Sequence, residues 1–237
     1  AALETGATAS ALGSIGAVRE AEALERDRDT IGKLLARTSV DETASKTLRE
    51  HAIEALGEIA YEPGLEQLGQ LIRSRSEYAG DAATAVARIG VKKSRMAEQG
   101  AIIEISEAGK LLVGILTDTD SETIRLQAAV ALSLMQRGPV DELINQLEEA
   151  PEELKPWIAA TLGGIGKFAS TPVANKRDRV TDEDFRDWLA IALACIGDAA
   201  ALREIKFMPK DQQPAEKHPE LLQRARELTK EIRLQKK

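Results

Sequence analysis

Ala55-Leu56-Gly57-Glu58-Ile59-Ala60 is answered 30 residues later by Ala85-Val86-Ala87-Arg88-Ile89-Gly90. The phrase returns as Thr161-Leu162-Gly163-Gly164-Ile165-Gly166 and as Ala192-Leu193-Ala194-Cys195-Ile196-Gly197. Ala11-Leu12-Gly13-Ser14-Ile15-Gly16 precedes them, and Ala131-Leu132-Ser133-Leu134-Met135-Gln136 is a looser copy that ends without glycine. The phrases end at 16, 60, 90, 136, 166 and 197, in steps of 44, 30, 46, 30 and 31 residues. A period near 30 sets three steps, and the other two carry extra chain.

The pattern extends upstream. Arg49-x-x-Ala52-x-x-Ala55-Leu56 matches Arg125-x-x-Ala128-x-x-Ala131-Leu132 and Arg186-x-x-Leu189-x-x-Ala192-Leu193, with Lys155 in a relaxed copy. Small or apolar residues at intervals of three and four make one face of a helix. A terminal glycine suits a left-handed C-cap, and Asp41, Asp120-Ser121 and Thr181-Asp182 are N-cap types. A second helix follows most phrases, as in Gly64 to Ile72, Ala108 to Leu116 and Val140 to Leu147. Ile31 to Ala36 and Ala199 to Ile205 complete the series. A lone helical hairpin cannot bury its apolar face, but stacked hairpins can. The expected fold is all-α: an α-solenoid of six hairpins with a C-terminal capping helix.

These residues resemble HEAT-type repeats, nearest to the short variety of bilin-lyase-like HEAT proteins. The clearest match runs from Asp118 to Leu132, and the likeness covers residues 1 to 206. Gly197-Asp198 keeps the Gly-Asp turn usual in that family, whereas Gly16-Ala17 and Gly90-Val91 do not. The likeness implies an architecture and leaves the function open.

Residues 1–208 are expected to form the repeat body, 209–219 a Pro-containing linker and 220–237 a basic amphipathic helix. In that helix Leu221, Ala225, Leu228 and Ile232 fall on one stripe. The expectation is a cap over the last repeat, with docking to an acidic surface as the alternative. The extra chain at 17–29 reads as a charged helical turn or two, and it and the extra chain at 91–106 are expected to be solvated elbows, with contact to a partner as the alternative. Residues 167–180, with Pro172 and Lys176-Arg177-x-Arg179, read as a loop in place of a second helix.

Composition narrows the function. The 237 residues carry 39 Asp and Glu against 32 Lys and Arg. Residues 217–237 hold net +4, leaving −11 elsewhere, so general nucleic-acid binding is not expected. There are 37 alanines and seven aromatics, a recipe for closely packed helices. No run of about 18 apolar residues predicts a membrane span. No signal peptide is visible, and the single Cys195 excludes an internal disulfide, which together favour a cytoplasmic setting. The chain opens on Ala1 instead of Met, consistent with a segment of a larger protein or complex.

No reaction is legible. His51 and His218 are the only histidines, and no metal-binding spacing occurs. Iron-binding HEAT hydroxylases use repeated His-Glu pairs, which are missing here. His51 reads as a surface residue and Cys195 as a small core residue. The Asp118/Asp120 and Asp182/Glu183/Asp184 clusters sit at helix starts, where acids complement the helix dipole. Gly163-Gly164-x-Gly166 ends a helix instead of opening one, which fails the context of a dinucleotide fingerprint.

Trp157 and Trp188 occupy the same repeat position 31 residues apart, at the edge of the buried stripe. They either seal the seam between two units or anchor a partner. The expected function is a non-enzymatic scaffold that binds another protein, with no cofactor and no small-molecule ligand expected. In HEAT folds the second helices line the inner surface, which makes Lys33, Arg37, Gln67, Gln70, Arg73, Asn145 and Gln146 candidate contacts alongside the two tryptophans. The alternative is a bilin lyase or bilin-handling protein, suggested by repeat length and opposed by the scarcity of aromatic walls. A HEAT-like DNA-repair glycosylase is further off, because it needs a basic groove.

Overall fold

The structure, a computed structural model, describes residues 25–97, 106–136 and 139–236, without the side chains of 93–97. Every regular element among them is helical. Helix α1 covers 25–40 of the described chain. It is followed by α2 (Lys46–Glu58), α3 (Leu65–Arg73), α4 (Ala79–Ala97), α5 (Glu107–Asp118), α6 (Glu122–Leu134) and α7 (Val140–Glu149). Then come α8 (Lys155–Ile165), α9 (Lys167–Arg177), α10 (Glu183–Ile196), α11 (Ala199–Phe207), the short α12 (Pro214–Lys217) and α13 (Pro219–Gln235).

The phrase helices α2, α4, α6, α8 and α10 pack side by side in chain order, and α3, α5, α7, α9 and α11 form a second layer behind them. The result is an all-α solenoid. The core between the layers is built from the repeated positions, with Leu56, Val86, Leu132, Leu162 and Leu193 all fully buried. The phrase at 11–16 and the extra chain at 17–24 and 98–105 lie outside the described residues. Residues 25–29 and 91–97 are helical continuations of α1 and α4.

The repeated arginine has a definite task. Arg49 Nε donates to the Ser39 carbonyl at 3.1 Å, Arg125 Nε to Leu116 at 3.0 Å, and Arg186 Nη2 to Val180 at 2.9 Å. Helices α2, α6 and α10 thus each satisfy a carbonyl at or just past the end of the preceding helix, where backbone acceptors lack intrahelical donors and the dipole is negative. At the starts, Ser121 accepts from Ile124 N–H and Asp182 from Phe185 N–H, as their residue types predict. Asp41 does not cap α2: it closes a turn with Thr43, and Ser45 takes the cap.

Two expectations fail locally. Gly90 is no C-cap, because α4 runs through it to Ala97. A Cβ at Gly90 would stand 3.1 Å from Met135 Sδ, so the glycine serves close packing. Residues 167–177 are helical, correcting the expected loop. Pro172 removes one backbone donor, but Ala169, Ser170 and Val173 are buried, and Ser170 Oγ is 3.0 Å from Asp198 Oδ1. Packing of that face against α10 and α11 outweighs the local break.

Candidate functional site

The two faces of the stack differ in what covers them. On the phrase-helix face, α13 lies over α8 and touches α6 and α10. Arg224 lies near Glu122 and Thr123 at the start of α6, and Lys236 reaches Ser133 near its end, so α13 runs parallel to these helices. The last helix does act as a cover, but over a face and not over the end of the solenoid. Residues 209–219 are not a free tether: Lys217 Nζ pairs with Asp187 at 2.8 Å and Glu183 at 2.7 Å, and His218 Nε2 is 2.8 Å from Asp187. The hydrogen bonds that Lys217 donates to Asp187 and then to Glu183 push its ammonium above its ordinary value.

The glycine pair makes this seat. A Cβ at Gly163 would stand 2.8 Å from Cys195 Cβ and 2.9 Å from Thr229 Oγ1, and one at Gly164 would stand 2.8 Å from Ile232 Cγ2. With no side chains there, Ala225, Thr229 and Ile232 of α13 come to rest almost on the α8 backbone and are buried. The basic end of α13 then meets the ends of three helices. Arg233 Nη2 donates to the carbonyls of Gly163, Cys195 and Ile196 at 2.8, 2.9 and 3.0 Å. Lys236 Nζ donates to Ser133 at 3.0 Å and Gly164 at 2.9 Å. Burial, then Arg233, lowers the Lys236 ammonium. Burial pushes the nearby Cys195 thiol up to about 11, so it remains a neutral packing group at neutral pH.

Beside α13 the same face is open. A groove of about 450 Å³ runs between α4 and α6, floored by Ala87, Val91, Val130, Ala131 and Leu134 and bounded by Gln235 of α13. Its far edge is charged: Arg88 Nη1 pairs with Glu58 at 2.7 Å, and Lys92 donates to the Glu58 carbonyl. A second hollow of about 370 Å³ continues it between α2 and α4, with Glu50, His51, Glu54 and Asp81 around it. In phrase register, Ala160, Gly163 and Gly164 beneath α13 correspond to Thr84, Ala87 and Arg88 of α4 and to Val130, Ser133 and Leu134 of α6. The open groove is therefore the repeat-equivalent of the α13 seat.

Both tryptophans are buried within the chain, and Trp157 also lines the hollow between α6 and α13. Trp157 is 5% exposed and Trp188 3%. Trp188 Nε1 donates to Glu152 Oε2 at 3.2 Å, and Arg125 lies over the Trp157 ring. Lys33 and Arg37 lie on α1, Gln67, Gln70 and Arg73 on α3, and Asn145 and Gln146 on α7. None of these seven lines the open groove. Lys33 is held by Asp29 at 2.6 Å, and Gln67 Oε1 is buried without a partner. Arg73 borders a separate hollow between α3 and α5, with Arg75 and Lys110. Sequence reasoning missed the α4/α6 groove because the repeat reads alike in every copy. The one usable signal was the Gly-Gly pair confined to α8.

Among the described residues, no group of three or more His, Cys, Asp or Glu converges as a metal site. No helix among them is long and apolar enough to cross a membrane.

No family model matches the chain, and no curated protein matches it. Solved structures do. An engineered protein aligns at 21% identity over 86% of this chain and 97% of its own, with a TM-score of 0.39. A designed armadillo repeat protein aligns at 17% identity over 83% of this chain and 98% of its own, with a TM-score of 0.36. Human deoxyhypusine hydroxylase aligns at 16% identity over 90% and 91%, with a TM-score of 0.31. These likenesses concern fold alone, and the helical-repeat architecture stands on the chain's own stacked hairpins.

Proposed function

We propose that this chain is a non-enzymatic, HEAT-like repeat scaffold that binds another protein through its phrase-helix face. The observation that carries the reading is the open α4/α6 groove, the repeat-equivalent of a seat that already holds a helix. Its floor is aliphatic and half-buried, and its rim is charged, the layout of a protein-docking groove. No aromatic ring lines it, which leaves a tetrapyrrole without walls to stack on.

The test is site-specific photocrosslinking in cells that make the protein. A benzophenone amino acid replaces Val130 in the groove, Gln70 on the second layer, or Asn145 further along that layer. A discrete adduct from position 130 with none from 70 or 145 is expected. Adducts from 70 and 145 alone would move the interface to the other layer. No adduct from any position would remove the scaffold reading.

A further inference from the structure

We infer that the open half of the phrase-helix face takes an amphipathic helix from a partner protein, with long aliphatic residues toward α4 and α6 and Lys or Arg along both flanks. This rests on the scaffold reading and specifies its occupant.

Continuity with an existing interface is the first support. The groove lies alongside α13, whose Gln235 forms part of its wall, and it repeats the α13 seat two helices away. A helix laid over α4 and α6 would run parallel to α13, in the same kind of trough.

The floor sets the size of the buried residues. Over α8, glycines let a threonine and an isoleucine reach the backbone. Over α4 and α6 the equivalent positions carry Ala87-Arg88 and Ser133-Leu134, so a docked helix rides higher. Ala or Thr would leave a gap there, whereas Leu, Ile or Met reaches the floor.

Charge sets the flanks. On one side stand Glu50 and Glu54 of α2 and Asp81 of α4. On the other, the flank of α13 toward α6 carries Glu227 and Glu231, with Glu122 of α6 below. Among the described residues the cations nearby include Arg88, already paired with Glu58 and Glu54; Lys92, on the Glu58 carbonyl; Lys46, 4.0 Å from Glu50; Lys236, on the Ser133 and Gly164 carbonyls; and Arg224. The trough is acid-flanked on both sides, so a helix with basic flanks complements it. The α13 helix cannot serve as that occupant, because Arg233 and Lys236 are bound to carbonyls over α8.

The probe is a fluorescein-labelled synthetic helix with leucines on one face and lysines on both flanks, beside a twin with glutamate for lysine. Anisotropy titrations use the full chain and two double variants matched in charge change. Glu54→Lys with Glu231→Lys alters both sides of the trough; Glu66→Lys with Glu149→Lys alters α3 and α7. All four positions are exposed, and unchanged melting curves confirm folding. The lysine probe is expected to bind, the trough pair to weaken it by about tenfold or more, and the control pair by under about twofold. Equal weakening by both pairs, or equal binding of the glutamate twin, would overturn the proposal. An adduct at position 130 without lysine-probe binding would refute this occupant and leave the scaffold standing. Neither adduct nor binding would remove both.

Discussion

The covered half of the phrase-helix face, α6 to α10, and the open half, α2 to α6, come from the same repeat, and the seat of α13 is marked by two residues of α8. Gly163-Gly164 lets α13 lie against α8, and all eleven residues of α8 are buried. At the same register α4 carries Ala87-Arg88, and α6 carries Ser133-Leu134. Their faces stay half-buried, with Ala87, Val91, Val130 and Leu134 partly accessible. A solenoid thus acquires two surfaces from one template. Side-chain volume beneath the face decides where the chain's own helix can settle and where room remains for another.

The largest test of this comparison gives α8 the residues of α4. Gly163→Ala with Gly164→Arg places side-chain atoms where Cys195, Thr229 and Ile232 now stand. Expelling α13 would uncover the buried Leu222, Ala225 and Ile232, at a cost of about 4 kcal/mol or more. The melting temperature should drop, and hydrogen exchange in α13 should rise toward that of an unprotected segment. Unchanged protection of α13 would break the proposed distinction between the halves.

Next is the basic end of α13. Arg233→Met keeps the aliphatic stem and removes the Nη2 group that donates to three helix-end carbonyls. A loss of about 1–2 kcal/mol is expected from urea unfolding. No loss would mean that the glycines alone hold the helix.

A smaller and opposite effect is expected where two phrases end without glycine. Ala60 and Gln136 sit at φ +50° and +56°, beside Gly166 and Gly197 at +74° and +63°. Gln136→Gly should relieve the left-handed strain and stabilise by about 1 kcal/mol, read as a rise in the urea midpoint. That gain would show that helix stacking holds this residue against its local preference.

The smallest effect belongs to the open half. Val130→Lys on the groove floor should change stability by under about 1 kcal/mol, since the site is already partly in water. It should also abolish any crosslink placed at Ala87. Severe destabilisation would mean that the floor is interior packing, and the two halves would no longer differ as described.

Much of this was legible in the sequence. The phrase spacing identified the phrase helices, most of the second-layer helices (α9 excepted) and the buried apolar stripe, because a 3.6-residue period leaves a one-sided mark. The N-caps at Ser121 and Asp182 were readable because they depend on residues three apart. The recurring arginine was visible as a pattern, but its task was not, since its acceptors are carbonyls and every residue has one. Trp157 and Trp188 stood at the stripe's edge, and only packing of neighbouring units shows that the edge closes over them. The contacts expected from second-layer helices rested on a likeness to HEAT folds, and they do not line the groove beside α13.

The sequence by itself determined the repeat: helix type, hairpin order, apolar stripe and the basic character of the last helix. These follow from short-range spacing and composition, which act within one or two turns. Tertiary structure alone decided that α4 runs through Gly90, that α9 forms across Pro172, and that Ala60 and Gln136 take a left-handed backbone. It also decided that α13 turns back over α8 and leaves α4 and α6 open. Each of those outcomes depends on atoms dozens of residues apart meeting at van der Waals distance, and no local pattern carries that information.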